Sequence, residues 1–277
     1  MKFEYSVDVL NSMNKLAEAG GCPKWGSALH GDGLRRRNVF LGELKRAGVQ
    51  NPEAIAKPSV RNDASFLFTV VGVTSVIAVA GGFLPGDWGF FVPYLTGGIC
   101  LVVLAVGSTA PGLLQLPIDL FSSIFPDYRQ RVLRHEAAHF LIGYLLGIPV
   151  TNYSLQIGKA HTDFAEAKIQ MRLIERKLTD DEINTFAVMS MAGVASEGIN
   201  YPDVMGQTAD LMDLQRILAR SQTKLSAAQE QNMTRWAVYK AAQLLRNRKA
   251  EYEALQQAMA SGASVAACVR AIEEAGR

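Results

Sequence analysis

Two long apolar segments most constrain how this chain can fold. They cover residues 64–84 and 89–107, and the whole stretch from residue 64 to residue 125 contains two aspartates and no lysine, arginine or histidine. About twenty apolar residues in a helix are enough to cross the hydrocarbon core of a bilayer, which is about 30 Å thick. We therefore predict a transmembrane hairpin at residues 63–107, with membrane lipids as its surroundings. A buried helical hairpin of a soluble protein is the alternative.

The composition outside this hairpin limits the classes of function. Of the 277 residues, 49% are hydrophobic and 19% are charged, and the net charge of +2 gives no indication of a nucleic-acid partner. The three cysteines are far apart and include no C-x-x-C pair, which is typical of a reducing compartment and not of a disulfide framework. A transporter or channel is disfavoured because the two spans carry no ionisable residue that could form a pathway.

Four regions follow one another along the chain. Residues 1–62 are predicted to form a polar, helical N-terminal region, and the hairpin follows at 63–107. Residues 108–125 are apolar but interrupted by prolines, so we expect them to lie along the membrane interface, with a short third span or a re-entrant segment as the alternative. Residues 126–277 are predicted to form a helical domain with a short β element at 150–158, where apolar and polar residues alternate. The predicted fold class is therefore mostly α.

The charges on either side of the hairpin predict its orientation. The N-terminal region carries ten lysines and arginines, the turn between the spans carries none, and Arg129, Arg131 and Arg134 follow the second span. By the positive-inside rule, both termini face the cytoplasm, or the stroma or matrix of an organelle. Within the N-terminal region, the basic run 35–37 is expected to be a solvated face or a contact with anionic lipid headgroups.

Several helix boundaries can also be predicted. Thr179 and Glu182 have the spacing of a capping box, which would open a helix continuing to about residue 198. Another helix should start near Thr208. A long amphipathic helix is predicted over 226–260, and a shorter one over 264–275.

A His-Glu-Ala-Ala-His sequence at residues 135–139 carries the clearest chemical signal. On a helix, His135 and His139 lie one turn apart on the same face and can bind one tetrahedral ion. Zinc in a catalytic site takes three protein ligands and keeps a fourth position for water, and Glu136 would be the general base toward that water. We therefore predict a Zn²⁺ site with Glu136 as the catalytic residue.

The residues alone leave the third ligand open. No third histidine follows in the spacing of the H-E-x-x-H-x-x-G-x-x-H pattern, and His161 is expected to be an exposed loop residue. The acidic candidates are Glu197, Asp203, Asp210 and Asp213.

A resemblance to a known family singles out one of them. MAGVASEGINYPDVMGQTADLMDLQRI, residues 191–217, resembles the second signature of the FtsH peptidase domain, and the resemblance extends over roughly residues 126–277. It implies that Asp210 is the third zinc ligand and that Glu197 supports a histidine ligand or the helix pair. A homo-oligomer is also implied.

The chain departs from the family pattern in two informative ways. Ala138 replaces the usual glycine of His-Glu-Ala-Gly-His, and no G-x-x-x-x-G-K-[ST] occurs, so the AAA ATPase module and ATP binding are not expected. The chain is similar to plastid proteins of algae and plants that are FtsH-like without the ATPase. This similarity implies a chloroplast membrane, either the thylakoid or the inner envelope.

Two functions follow from these expectations. The first is a membrane-anchored, ATP-independent zinc endopeptidase that acts on membrane proteins or loosely folded proteins. The second is a non-proteolytic FtsH-like assembly factor, or a stable subunit of a photosynthetic membrane complex. Small residues in the spans would then pack against partner helices, although packing within the hairpin is the simpler explanation for them. These residues are Gly72, Gly81, Gly82, Gly97 and Gly98.

Overall fold

The computed structural model describes residues 2–29, 34–55, 61–156, 158–164 and 177–276. These residues are mostly helical and contain one two-stranded sheet, which confirms the predicted fold class. The elements in chain order are α1 (Lys2–Glu18), α2 (Leu41–Arg46), α3 (Arg61–Gly81), α4 (Trp88–Thr109), α5 (Gln115–Ser122), α6 (Pro126–Leu145), β1 (Val150–Ser154), β2 (His161–Phe164), α7 (Asp180–Ser190), α8 (Ala192–Asn200), α9 (Gln207–Leu218), α10 (Ala227–Asn247), α11 (Lys249–Ala260) and α12 (Val265–Glu274).

The chain divides into two compact units. The first, here called the hairpin unit, comprises residues 59–129 and 156–158. The second, here called the helical unit, is assembled from residues 1–58, 130–155 and 159–277. The helical unit is thus built from chain on both sides of the two apolar segments.

The two main helices of the hairpin unit, α3 and α4, are long and apolar enough to cross a membrane. Almost none of their described side chains is buried in the isolated chain; Phe68 is 78% and Phe90 is 77% exposed. A helix in the core of a soluble protein would instead be mostly buried, so this exposure argues against a soluble hairpin. The third apolar segment forms a short 3-10 helix, Pro111–Leu114, followed by α5.

The glycines of the hairpin unit fall into two groups. A Cβ at Gly81 would lie 2.4 Å from Val92 Cγ1, so glycine is needed there for α3 and α4 to approach closely. At Gly72, Gly97 and Gly98, an added Cβ would meet no heavy atom of the described residues within 4 Å, apart from the backbone of its own helix. Packing within the hairpin therefore explains the glycine at position 81, but it does not explain the other three glycines.

The N-terminal residues of the helical unit belong to its core. Trp25, Val39, Leu44 and Val49 are each less than 10% exposed and form one cluster with the buried residues of α6 to α12. Their backbone is tied to distant elements as well: Gln50 N, for example, donates to the carbonyl of Gly198 at 2.8 Å. The N-terminal region is therefore part of the domain that carries the predicted metal ligands.

Helix α6 and the β-hairpin form the frame of the predicted site. Helix α6 ends where Gly147 adopts a φ of +67°, a conformation that glycine reaches without strain, and Pro149 follows. Strand β1 pairs with β2 in antiparallel orientation, with Tyr153 opposite Thr162. The strand predicted within residues 150–158 is shorter in the structure, where β1 ends at Ser154. Ile157, which belongs to the predicted range, lies outside the described residues.

Two predicted helices are each interrupted once. The capping box of Thr179 and Glu182 is confirmed, with Thr179 N donating to Glu182 Oε2 at 3.0 Å, but the helix it opens breaks at Met191. The long helix predicted over 226–260 breaks at Arg248. Neither break falls on a proline or glycine, the residues whose low helix propensity would have indicated it in the sequence.

Candidate metal centre

Two histidines and one aspartate converge inside the helical unit. The Nε2 atoms of His135 and His139, one turn apart on α6, are 3.2 Å from each other. Asp210 in the first turn of α9 places Oδ2 3.4 Å from His135 Nε2 and Oδ1 3.3 Å from His139 Nε2. The three side chains are only 9–12% exposed. These are the three residues that the sequence and the FtsH resemblance named as ligands.

The separation of the two histidine nitrogens fits a tetrahedral zinc ion. Zinc–nitrogen and zinc–oxygen bonds of about 2.0–2.1 Å at tetrahedral angles place neighbouring ligand atoms about 3.3 Å apart. The Nε2–Nε2 separation of 3.2 Å lies within about 0.1 Å of this value, and each Nε2 has a different oxygen of Asp210 beside it, Oδ2 at 3.4 Å from His135 and Oδ1 at 3.3 Å from His139. Two histidines and a carboxylate are also a donor set that zinc accepts in catalytic sites.

The hydrogen bonds of the two Nδ1 atoms indicate the tautomer of each histidine, and therefore which nitrogen directs its lone pair toward the centre. His135 Nδ1 lies 2.9 Å from Glu197 Oε1, and His139 Nδ1 lies 3.0 Å from the carbonyl oxygen of Met189. Both partners are acceptors, so both Nδ1 atoms carry the proton. The Nε2 lone pairs then face each other and repel unless a cation or a proton lies between them. Asp210 Oδ2 is buried and has no hydrogen-bond partner, which likewise indicates a site for a cation.

Glu197 on α8 fixes His135 from behind. It is 2% exposed, and its carboxylate accepts hydrogen bonds from the backbone N–H groups of Met205 at 2.8 Å and Gly206 at 3.0 Å. The guanidinium of Arg131 lies 3.7 Å from Glu197 Oε2. The carboxylate is thus held from several sides and can orient the imidazole, which is the supporting role the resemblance implied.

A glycine on α8 lets that helix reach the metal centre. A Cβ at Gly193 would lie 2.2 Å from His135 Nε2, far inside any real contact distance. A Cβ at Gly206 would meet His135 Cε1 at 2.9 Å. The imidazole is therefore enclosed by backbone at two points where only glycine fits. The sequence shows Gly193 within the FtsH-like signature but not this steric reason for it.

Glu136 is held by a strand residue that sequence reasoning missed. The Glu136 carboxylate is largely buried, and Oε2 accepts a hydrogen bond of 2.8 Å from the hydroxyl of Thr162 on β2. Two residues further along β2, the Phe164 ring packs on α6 where a Cβ at Gly143 would collide with it at 2.2 Å. Strand β2 therefore lies along α6 and fixes one oxygen of Glu136. No spacing in the sequence indicates this contact.

Without a metal ion, the charges of the three side chains shift one another's pKa values. Burial alone lowers the pKa of His135, but the negative charges of Asp210 and Glu197 outweigh burial, so this pKa lies well above its usual value. The pKa of His139 is also raised, because Asp210 overcomes the opposing effect of burial. Burial raises the pKa of Asp210, yet the two histidines hold it far below its usual range. Asp210 is accordingly a carboxylate that favours a positive charge at this position.

The other candidates from the sequence lie elsewhere. Asp203 pairs with Arg131 at 2.9 Å, and the exposed Asp213 pairs with Arg216 at 2.7 Å. His161 is exposed as expected, but it begins strand β2 and does not lie in a loop; its Nε2 is 3.3 Å from Asp163 Oδ2. Within the described residues, the only group of three or more metal-ligating side chains that converges is His135, His139 and Asp210.

Comparisons of the chain with family models, with curated proteins and with solved structures find no match. The relation to FtsH therefore stays a hypothesis carried by the two sequence motifs.

Proposed function

We propose that the chain is a membrane-anchored, ATP-independent zinc endopeptidase of the H-E-x-x-H type. The observation that carries the proposal is the convergence of His135, His139 and Asp210 at zinc-like separations, with Glu136 on the same helix. A scaffold needs neither the three donors nor the glutamate. The FtsH-like signature around Asp210 supports the same assignment.

The residues of the site divide the work of peptide hydrolysis. A zinc ion held by His135, His139 and Asp210 would polarise the scissile carbonyl and lower the pKa of water toward neutrality. Glu136 takes a proton from the attacking water while the oxygen of that water forms a bond to the carbonyl carbon. It then delivers that proton to the amine nitrogen as the C–N bond breaks. Thr162 restrains one carboxylate oxygen of Glu136 and leaves the other for this transfer.

The topology of the helical unit supports a position of both termini on one side of the membrane. Residues before α3 and after α4 contribute to a single buried core, which a bilayer could not divide. The excess of lysine and arginine flanking the spans favours the cytoplasmic or stromal side. We extend the proposal to an integral protein of a chloroplast membrane on the sequence similarity alone. Its substrates would be membrane proteins or loosely folded chains, since the sequence contains no ATPase motif for unfolding.

The zinc content of the full-length protein in detergent tests the site without requiring a known substrate. We expect about one zinc per chain, since three donors surround one position. His139→Ala and Asp210→Ala should lose most of this zinc. Asp213→Ala is the matched control, because Asp213 lies on the same helix as Asp210 but is exposed and paired with Arg216. A folded wild type without zinc would overturn the proposal.

Glu136→Gln separates the enzyme from the alternative function. The variant should keep its zinc and lose hydrolysis of an unfolded substrate such as casein. An assembly factor or complex subunit is the second candidate, and the open positions at Gly72, Gly97 and Gly98 favour it because they leave room for partner helices. Zinc binding without any hydrolysis, equally in wild type and Glu136→Gln, would support that candidate.

A further inference from the structure

A polar cleft lies between helices α2 and α10 of the helical unit. Its volume is about 570 Å³, within the range of cavities that hold small ligands. The walls carry Glu43, Arg46, Tyr239, Gln243, Arg246 and Asn247. These residues are separate from the metal centre, and the peptidase proposal gives the cleft no role.

The cleft carries a net positive charge, because its single acidic residue is outnumbered by arginines. Glu43 is the only acidic residue on the walls, and Arg37 lies 2.7 Å from its Oε1. This ion pair holds the pKa of Glu43 below its usual range, so Glu43 stays ionised and matched by Arg37. Arg46 also lies close enough to Glu43 to lower its pKa, so three arginines, Arg37, Arg46 and Arg246, share a single carboxylate. The cleft therefore presents two positive charges without a matching negative one.

The position of one of these groups is fixed in advance. Arg246 Nη1 donates to the carbonyl oxygen of Arg46 at 2.9 Å, and its Cδ lies 3.3 Å from the Cβ position at Gly48. A guanidinium held at one nitrogen still offers its other N–H groups in a planar fork. Such forks match the oxygens of phosphate and carboxylate groups. Amide side chains from Gln243 and Asn247 add neutral polar groups to the same walls.

The surroundings of the Tyr239 ring bear on which kind of ligand the cleft can bind. Arg37 lies over the ring, with its Cζ 5.0 Å from the ring centroid, and the Tyr239 hydroxyl accepts a hydrogen bond from Gln243 Nε2 at 2.8 Å. One face of the ring is therefore already covered by a cation. A base or another aromatic group is disfavoured on that face, and the arginines on the walls favour a ligand with anionic oxygens.

We propose that this cleft binds a phosphate group, supplied either by free phosphate or by the phosphomonoester headgroup of a lipid. Arg46 and Arg246 are the residues that contact the phosphate oxygens. The pair of Glu43 with Arg37 closes one wall and weakens binding through the negative charge of Glu43. The basic residues of the N-terminal region thereby gain a specific ligand, beyond general attraction to a membrane surface.

The test uses the full-length protein in two arms. In the first, inorganic phosphate is titrated into the detergent-purified, phosphate-free protein and followed by calorimetry. In the second, the protein is placed in phosphatidylcholine nanodiscs with or without phosphatidic acid. Amide hydrogen exchange is then read over residues 41–48 and 239–247. Binding in the first arm identifies a soluble ligand, whereas protection only with phosphatidic acid identifies a lipid headgroup.

Three variants make the result specific. Arg46→Gln should weaken binding about tenfold or more, because a charge-assisted hydrogen bond is lost. Glu43→Gln should strengthen it, since the amide can still accept from Phe40 N while the negative charge is gone. Arg216→Gln, the same change at an exposed arginine on α9, should leave binding unchanged.

The proposal is overturned if wild type shows neither saturable phosphate binding nor protection by phosphatidic acid. It is also overturned if Arg46→Gln binds as the Arg216→Gln control does. Circular dichroism, measured on every variant, verifies the fold and keeps this result independent of the peptidase proposal.

Discussion

Replacing Gly193 by alanine places one methyl group at the tightest point of the metal centre. The added Cβ would lie 2.2 Å from His135 Nε2, whereas non-bonded heavy atoms keep about 3.5 Å between them. The imidazole, or helix α8, must therefore move by about 1.3 Å. A metal ligand tolerates a displacement of only about 0.2 Å. We expect His135 to leave its position as a ligand.

The size of the effect follows from the share of one ligand in zinc binding. Four-ligand zinc sites bind with about 10–16 kcal/mol at neutral pH, so one ligand contributes about 2.5–4 kcal/mol. Its loss corresponds to an affinity lower by about two to three powers of ten. Overpacking in the same place should also reduce the free energy of unfolding of the ion-free protein by about 1–3 kcal/mol.

Competition with a chromophoric chelator measures this affinity, and circular dichroism verifies that the variant is folded. Gly42→Ala is the matched control, because Gly42 is also helical but an added Cβ there has nothing within 4 Å. We expect the control to bind zinc as wild type does. A folded Gly193→Ala protein with the zinc affinity of wild type would show that α8 does not enclose His135 as described.

Three further predictions concern the same centre. Glu197→Gln removes the charge behind His135 and should lower zinc affinity by about 10- to 100-fold in the chelator assay; an unchanged affinity would contradict its orienting role. Thr162→Val should leave zinc affinity unchanged but reduce kcat, because Glu136 loses the bond that fixes it; Thr162→Ser should restore kcat, and a fall in zinc affinity would contradict this assignment. Zinc binds neutral imidazole, and the raised pKa values of His135 and His139 make protons stronger competitors. The increase in melting temperature caused by zinc should therefore be larger at about pH 8 than at about pH 6, with equal increases counting against the prediction. The melting temperature of the ion-free protein should instead fall as the pH rises from about 6 to about 8. Its histidine–Asp210 attraction is fully present below the ordinary histidine pKa and is lost as pH rises through the raised values.

Local patterns in the sequence were sufficient for several of the individual elements. The two charge-free segments predict α3 and α4, and the four-residue spacing of His135 and His139 predicts their shared face on α6. The capping box at Thr179 marks the start of α7. Each of these features depends on neighbouring residues alone, so it can be recognised without knowledge of the rest of the fold.

Features that depend on contacts between distant segments were beyond local patterns. Spacing left four acidic candidates for the third ligand, and only the FtsH resemblance selected Asp210. The bond from Thr162 to Glu136 and the contact of Gly193 with His135 join elements from different parts of the chain. The break at Met191, which carries no proline or glycine signal, belongs to the same class.

The attachment of Lys24 to the last helix has a consequence for how the protein is made. The backbone N–H of Lys24 donates to Glu273 Oε1, 249 residues later in the chain, and its ammonium group donates to the carbonyl of Ile272 at 2.7 Å. At a synthesis rate of about 5–20 residues per second, the N-terminal segment waits on the order of 10–50 s for these partners. During that interval both apolar helices have already left the ribosome. The ring of Trp25 waits as well, although for a shorter time, because the Tyr144 ring that it contacts follows both apolar helices in the chain.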